Sequence, residues 1–215
     1  METSFETHPD ITHATVEGTY IPVLPEATTL TPRDEELVRV VDYIPDILTD
    51  LKYATADNFT GQVIYDFQDV FLRYGTVKKL KDAQEVFGVA GLRLKIWDGF
   101  RPVSAQFKLW EACPDSNFVA NPATGFSNHS RGNAVDVTLV DASGQELEMP
   151  TEFDNFSPMA DRDYSDCTDT QRENAMLLQE IMEKNGFNGY FGEWWHFNDT
   201  DSYEPEESYD PAQVG

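Results

Sequence analysis

The sequence predicts an α+β fold with a central, largely antiparallel sheet and flanking helices. Strand-like and helix-like segments follow one another in mixed order, without the regular strand–helix alternation of a doubly wound fold. The chain has 215 residues, 40% of them hydrophobic, which is enough for one well-buried core. The sequence shows no internal repeat and no long linker. One domain is therefore the expected organisation.

The first half of the chain contains four segments with a clear period. Leu48–Tyr53 is typical of a strand, and it leads into a turn-rich stretch. Tyr74–Phe87 has apolar residues at helical spacing, whereas Leu92–Trp97 alternates apolar and basic residues as a half-buried strand does. A helix is expected after Pro102, because the fixed φ of proline suits a first helical turn.

The second half contains three further segments. Asp136–Val140 is predicted to be a strand, and Gln171–Lys184 has the strongest helical pattern, with a stop at Gly186. Tyr190–Phe197 is predicted to be a final strand. The order of these segments favours the mixed fold over a parallel one.

The two ends of the chain differ from its centre in composition. Residues 1–30 carry Thr, Pro, His and Glu without a period and predict an irregular N-terminal arm. Residues 199–215 are acidic and interrupted by proline, and they predict a peripheral C-terminal tail. A single domain over residues 31–198 lies between them.

Charge excludes two classes of partner. The 39 acidic residues outnumber the 15 lysines and arginines, which gives a formal net charge of −24. A polyanion of this size is repelled by nucleic acid and by anionic membranes. We therefore expect no nucleic-acid partner and no membrane partner, and a highly solvated surface.

The cellular location is predicted from the N-terminal residues and the cysteines. The first ten residues, METSFETHPD, have acidic groups where a signal peptide requires lysine or arginine. No later segment approaches the roughly 18 apolar residues of a membrane span. Cys113 and Cys167 can form at most one disulfide. These features predict a reduced, cytoplasmic chain.

Two histidines of the predicted domain stand in unusual settings. His129 lies in SNHSRG, before the strand that carries Asp136, and His196 ends the stretch EWWH. A catalytic zinc takes three protein ligands from His, Asp, Glu and Cys and keeps one position open for water. His129, Asp136 and His196 supply such a set. Gly132 is suited to a bend between the first two.

A glutamate stands close to this set in the sequence. Glu193 lies three residues before His196 and suits the general base beside the open zinc position. No HExxH motif is present, so this site is expected on a sheet and a loop. Asp136 lies between two valines of a buried strand, where a carboxylate must be paired or metal-bound. From these residues alone, hydrogen-bonded core histidines remain an alternative to a metal site.

Five stretches together resemble a known family. SNHSRGNAVDVTL and GEWWHF are similar to the paired motifs of zinc D-alanyl-D-alanine dipeptidases of the vancomycin-resistance VanX type. LKYATADNFTG, IWDGFRP and MPTEFD resemble further stretches of that family and occur in its order, within residues 36–198. The family shares its fold with murein DD-peptidases and hedgehog signalling domains. The resemblance therefore implies a hedgehog/DD-peptidase-like fold and a zinc peptidase domain over residues 31–198.

The resemblance also implies roles for single residues. His129, Asp136 and His196 match the ligands of one Zn²⁺ per chain, and Glu193 matches the catalytic base. Arg101 matches an arginine that stabilises the oxyanion, although Asp98 close by makes a structural ion pair an alternative.

A second group of matches concerns the substrate. Ser127, Tyr53 and Asp154 match residues around the free ammonium group of the substrate, and a turn residue is the alternative for Asp154. After Asp154 the stretch NFSPMADRDYSD departs from the family's pattern, which concerns the rim of the substrate pocket.

The activity implied by the resemblance is zinc-dependent hydrolysis of the D-Ala-D-Ala dipeptide to D-alanine. A zinc-bound water would attack, with Glu193 as general base and Arg101 stabilising the oxyanion. The partner would be this small dipeptide, and the sequence does not fix an oligomeric state. Two alternatives are a DD- or LD-carboxypeptidase acting on peptidoglycan stem peptides and a non-catalytic zinc-binding domain.

Overall fold

The structure is a computed structural model that describes residues 31–116 and 118–213, with two short strands before them. These strands, β1 (Thr15–Val16) and β2 (Thr19–Tyr20), pair in antiparallel fashion. The rest of the predicted arm, residues 1–30, lies outside the described residues. The chain divides into two compact units, Met1–Thr31 and Pro32–Gly215.

A five-stranded sheet forms the centre of the larger unit. Its spatial order is β4 (Leu48–Thr49), β6 (Arg93–Asp98), β7 (Ala134–Val140), β9 (Glu193–Asp199) and β8 (Phe187–Tyr190). The β4–β6 pair is parallel, and the other three pairs are antiparallel. The predicted α+β class with a largely antiparallel sheet is therefore confirmed.

A small second sheet was not predicted. It consists of β3 (Leu37–Arg39) and β5 (Phe71–Arg73), which pair in antiparallel fashion. Each strand has only three residues, which is too short for an alternating pattern to be recognised in the sequence. This sheet leads directly into the first helix.

Three helices within the described residues agree with the predicted positions. They are α1 (Tyr74–Val89), α2 (Val103–Ala112) and α3 (Asp169–Lys184). The helix α2 begins directly after Pro102, as expected. Thr168 and Gln171 form a reciprocal capping box at the start of α3, which satisfies backbone groups that the first turn leaves unpaired.

Two predicted strands differ from the structure. Leu48–Tyr53 is a strand only at Leu48–Thr49 and continues into the 3-10 helix Lys52–Ala54. The predicted strand Tyr190–Phe197 instead comprises the end of β8, a tight turn and most of β9. Aromatic residues continue through that turn, so composition alone did not reveal the change of direction.

The strand β7 places the candidate site at the middle of the five-stranded sheet. All seven of its residues are buried between β6 and β9. Val135, Val137 and Leu139 join the hydrophobic core, whereas Asp136 lines a cavity. Because side chains alternate along a strand, Asp136 points away from the face that these three residues share.

The segment predicted as an acidic tail packs against the domain. The Tyr209 ring contacts the rings of Phe71 and Phe100, with centroids 5.5 and 5.7 Å away. The backbone N–H of Glu206 donates to the carbonyl oxygen of Ser130 at 2.9 Å, next to His129. The C-terminal segment therefore supports the turn that carries one of the predicted metal ligands.

The described part of the chain contains no helix with both the length and the apolar character that crossing a bilayer requires. Cys113 and Cys167 are both free thiols.

Candidate active site

One cavity brings all the predicted site residues together. Its volume is about 330 Å³, at the lower end of the range of ligand pockets. Its walls come from the 3-10 helix Lys52–Ala54, the loop before α2 and α2 itself, the segment before β7, the turn at Asp154, and the strands β7, β8 and β9. The predicted residues among its lining are Tyr53, Arg101, Ser127, His129, Asp136, Asp154, Glu193 and His196.

The three predicted metal ligands lie within reach of a single ion. Asp136 on β7 and His196 on β9 are directly paired in register, and His129 begins the short 3-10 turn before β7. The Asp136 oxygens lie 2.9 Å from His196 Nδ1 and 3.4 Å from His129 Nε2. The two ring nitrogens are 3.2 Å apart, and one ligand atom from each of the three residues lies within 4.8 Å of the others.

Hydrogen bonds on the far side of each ring show that these residues fit a metal ion. His129 Nδ1 lies 2.8 Å from the carbonyl oxygen of Gly99, and His196 Nε2 lies 3.0 Å from Asn198 Oδ1. Both partners are acceptors, so these two nitrogens carry the protons. His129 Nε2 and His196 Nδ1 then present lone pairs to the space beside Asp136. Two imidazole nitrogens and one carboxylate form a donor set that suits zinc.

Electrostatics keeps Asp136 ionised. Burial alone would raise the pKa of its carboxyl. When no metal is bound, hydrogen bonds donated by His129 and His196, and their charge, outweigh burial and lower the pKa below its usual range; a bound metal ion would supply the positive charge instead. A carboxylate is the form that coordinates a metal. Asp136 is therefore ionised in its buried strand and available to coordinate a metal ion.

Gly132 makes the turn between the first two ligands possible. Its φ is 74°, in the left-handed region that favours glycine. A Cβ at this position would lie 2.6 Å from Leu37 Cδ2. Arg73 also donates from Nε to the carbonyl oxygen of Arg131 at 2.7 Å. The predicted bend at Gly132 is therefore confirmed, and β3 and β5 support it.

Glu193 lies beside the ligand set. Its Oε2 is 3.9 Å from His196 Nδ1. Burial, reinforced by the neighbouring charge of Asp136, raises the pKa of Glu193 to about 7 against the opposing effect of His196. A carboxyl group with such a pKa both accepts and releases a proton near neutral pH.

Arg101 forms the expected ion pair and also faces the cavity. Its Nη2 and Nε donate to Asp98 Oδ2 at 2.6 and 3.1 Å, and its Nη1 donates to Gln106 Oε1 at 2.9 Å. Asp98 itself accepts from the Tyr65 hydroxyl at 2.8 Å. An arginine has five N–H donors, so two remain for a ligand. The ion pair holds the guanidinium in place and leaves it able to bind an oxygen atom.

Asp154 and Tyr53 meet at another side of the cavity. The Tyr53 hydroxyl lies 3.1 and 3.2 Å from the two carboxyl oxygens of Asp154. Burial, together with the charge of Asp136, raises the pKa of Asp154 to about 8. The φ of Asp154 is 57°, so this residue occupies a turn and also faces the cavity.

Ser127 lies on the cavity wall next to the first metal ligand. Its Oγ accepts a hydrogen bond from the backbone N–H of His129 at 3.2 Å. The hydroxyl hydrogen of Ser127 is free to point elsewhere, because the Oγ serves as an acceptor in this contact.

Sequence reasoning did not identify several supporting residues. Asn198 follows His196 by two positions on β9 and therefore shares its face, a spacing that was visible in the sequence. Gln106 on α2 supports Arg101 and has no such sequence signal. Phe118 and Phe156 stack at 4.7 Å on the cavity wall, across loops whose contact the sequence does not predict.

A buried His/Asp/His set with an adjacent glutamate and arginine defines a metallopeptidase type of site. Comparison with known proteins agrees with this class. The chain belongs to the Peptidase_M15 family, whose model, described as D-ala-D-ala dipeptidase, matches residues 33–213. The resemblance inferred from the five motifs is thereby confirmed, and the chain is a metallopeptidase of this dipeptidase family.

Individual relatives show the extent of the similarity. The chain is 40% identical over 162 residues to a D-alanyl-D-alanine dipeptidase of Escherichia coli (strain K12), covering 75% of this chain and 83% of that one. It is 32% identical over 181 residues to a D-alanyl-D-alanine dipeptidase of Enterococcus faecium, covering 75% and 90%. A solved vancomycin-resistance D,D-pentapeptidase VanY in complex with Zn(II) has a TM-score of 0.41 and 16% identity, over 61% of this chain and 74% of that one.

Proposed function

We propose that this chain hydrolyses the D-Ala-D-Ala dipeptide to D-alanine with one Zn²⁺ held by His129, Asp136 and His196. The observation that carries the proposal is the arrangement of the two imidazoles. Each has one nitrogen fixed as a donor and the other directed at Asp136, beside the half-buried Glu193. Such an arrangement binds a metal and places a base next to it.

The reaction requires a base, an acid and charge stabilisation. Zinc, when bound, acts as a Lewis acid and lowers the pKa of a coordinated water towards neutrality. The Glu193 carboxylate accepts a proton from the attacking water. The same carboxyl group then donates this proton to the nitrogen of the leaving D-alanine, so the group returns to its starting state.

Arg101 stabilises the charge that develops on the peptide oxygen. Two of its N–H donors remain after its bonds to Asp98 and Gln106 are counted. A guanidinium does not lose its proton, so it stabilises an oxyanion without exchanging protons with Glu193. The fixed ion pair with Asp98 means that the group does not need to reorganise during the reaction.

Asp154 selects substrates with a free amino terminus. An ammonium group next to Asp154 compensates the cost of an ionised carboxylate in a buried position. An acylated substrate would leave that carboxylate buried and unpaired, which disfavours its binding. Tyr53 orients the carboxyl group, and Ser127 contributes a hydroxyl to the same cavity.

The cavity favours a dipeptidase over the two alternatives. A carboxypeptidase that cuts peptidoglycan stem peptides must accommodate a long acylated substrate, whereas this cavity is only about 330 Å³ and has the carboxyl group of Asp154 in its wall. A non-catalytic zinc domain does not require a carboxyl group such as Glu193 and a guanidinium such as Arg101 in the same cavity. The cytoplasmic location and the exclusion of nucleic-acid and membrane partners stay predictions from the sequence.

Replacement of Glu193 by glutamine tests the proposed base. Glu193→Gln keeps the shape of the side chain but cannot accept the proton, so we expect turnover of D-Ala-D-Ala to fall by about 10²- to 10⁴-fold. Bound zinc per chain, measured by atomic absorption, is expected to stay near that of the unmodified protein. Glu173→Gln, at an exposed position of α3, is the matched control and should keep full activity. Normal turnover of Glu193→Gln would exclude it as the base.

A further inference from the structure

Glu193 and His196 both face the cavity although they are three residues apart on β9. In a regular strand, residues i and i+3 point to opposite faces. The 3.9 Å distance between Glu193 Oε2 and His196 Nδ1 therefore requires an irregular strand at this point. The contacts that hold this irregular backbone of β9 therefore also set the positions of the Glu193 and His196 side chains.

The pairing of β8 with β9 contains the irregularity. Gly189 pairs with Phe197, but the next residue, Tyr190, pairs with Glu193. Three residues of β9 lie between those two partners, and β8 offers none opposite them. Backbone groups on this side of residues 194–196 consequently lack ladder partners, and buried carbonyls without partners are costly.

Arg162 supplies the missing donors. Its Nη2 donates to the carbonyl oxygens of Trp194 and His196, each at 2.9 Å. Its Nε donates to the carbonyl oxygen of Tyr190 at 2.8 Å. One guanidinium therefore binds both sides of the irregular hairpin, including the backbone of a metal ligand.

Further contacts fix the position of this guanidinium. Its central carbon lies 4.4 Å from the centroid of the Phe197 ring, and the backbone N–H of Arg162 donates to the carbonyl oxygen of Phe191 at 2.9 Å. At Gly189, a Cβ would lie 2.4 Å from Arg162 Cζ, so a residue without a side chain is required there. A planar fork that binds several carbonyls at once is a property of arginine that lysine lacks.

We propose that Arg162 is a positioning residue for the reaction, which holds β9 in the irregular form that turns Glu193 and His196 towards the same ion. It acts through the backbone. The inference rests on the roles proposed above for Glu193 and His196.

Kinetics of Arg162 variants in the full chain, saturated with zinc, test this proposal. Arg162→Ala is expected to lower kcat for D-Ala-D-Ala by about 100-fold, since a displacement of about 1 Å at a reacting group has that effect. KM should change little, because Asp154 and Tyr53 lie on other segments. Added guanidinium ion at millimolar concentration should restore part of kcat by refilling the vacated site. Arg162→Lys should be intermediate and keeps the test usable where the alanine variant does not fold.

The control is Arg172→Ala, which removes an exposed arginine of α3 paired with Asp169. It should keep full kcat and show no response to guanidinium. A normal kcat in folded Arg162→Ala or Arg162→Lys would overturn the positioning role, as would a loss of kcat that guanidinium does not reverse. Measuring Glu193→Gln in parallel separates the two proposals. If the unmodified protein does not cleave D-Ala-D-Ala, the proposed function fails, and if Glu193→Gln stays active, the base role of Glu193 fails. If Glu193→Gln is inactive while the Arg162 variants are normal, only the positioning role fails.

Discussion

Asp154 combines an unusual backbone conformation with an unusual charge environment. Its φ of 57° lies in a region that aspartate and asparagine tolerate better than most residues. Its carboxyl group is buried against Tyr53 and has a pKa raised to about 8. A buried carboxylate without a cationic partner destabilises the folded state. We therefore interpret Asp154 as a group whose cost is offset when the ammonium of a substrate binds.

This interpretation predicts a pH-dependent effect of Asp154→Asn on the stability of the metal-free protein. An unfolded aspartate has a pKa of about 3.9, so between about pH 4 and pH 8 the folded state binds the extra proton and stability falls as pH rises. The slope is at most about 1.4 kcal/mol per pH unit. Asparagine tolerates the same φ and keeps an acceptor for Tyr53. In Asp154→Asn, the free energy of unfolding should no longer fall between about pH 4 and pH 8 through this group. The variant should therefore be more stable than the unmodified protein at pH 8.

Urea unfolding at several pH values, in the presence of a chelator, measures this difference. The effect should grow steadily from pH 5 to pH 8. A constant difference across that range would mean that Asp154 is not the titrating group.

The residues that we propose carry the chemistry were recognisable because most of them stand in dense motifs. All eight predicted site residues line one cavity, and the nature of their side chains limits what they do there. Their supports were less visible. The carbonyl oxygen of Gly99 fixes the tautomer of His129, and a backbone acceptor has no signature in the sequence. Arg162 likewise acts on three carbonyls that any residues could provide.

Among the secondary-structure elements, the segment after β9 links the C-terminal end to the site. Tyr209 packs between Phe71 on β5 and Phe100, which precedes Arg101. Arg73 donates to the carbonyl oxygens of Glu204 and Arg131, and so joins this segment to the turn that carries His129. The segment predicted as a tail is thus part of the framework of the site.

Tyr209→Ala tests this structural role. Loss of two aromatic contacts is expected to lower the free energy of unfolding by about 1–3 kcal/mol. Zinc affinity should fall as well, because the turn carrying His129 loses part of its support. Urea unfolding with a chelator and competition titration of zinc measure the two effects, with the exposed Ser202→Ala as control. Stability and zinc affinity equal to those of the control would show that the segment does not support the site.

Helices and strands were predictable where the pattern of apolar residues extended over enough positions. The helices α1 and α3 span 16 residues each and were recognised from apolar spacing. The strands β3 and β5 have three residues each and were missed. The hairpin of β8 and β9 was merged into one strand, because its turn contains Phe191 and Gly192 rather than a polar cluster. That hairpin is where Arg162 binds, so the missed element is also the one that shapes the site.

At the scale of the molecule, a strongly acidic chain carries a small polar cavity. The formal charge of −24 predicts repulsion of anionic macromolecules, while the cavity combines Arg101 and the proposed metal ligands with the carboxyl groups of Glu193 and Asp154. Such a cavity suits a small dipeptide, whose ammonium group pairs with a carboxylate and whose carbonyl oxygen accepts hydrogen bonds from a guanidinium. The mixed order of strands and helices predicted the fold class. The pairing of Asp136 with His196, 60 residues apart, depended on sheet register that local patterns do not encode.

The proposed activity is tested most directly by the release of D-alanine from free D-Ala-D-Ala, measured beside its N-acetylated form, with zinc supplied. We expect cleavage of the free dipeptide and little or none of the acetylated one, because only the free ammonium compensates the charge of Asp154. Equal or faster cleavage of the acetylated dipeptide would contradict the role of Asp154 and indicate a carboxypeptidase. Cleavage of neither form would contradict the proposed activity itself.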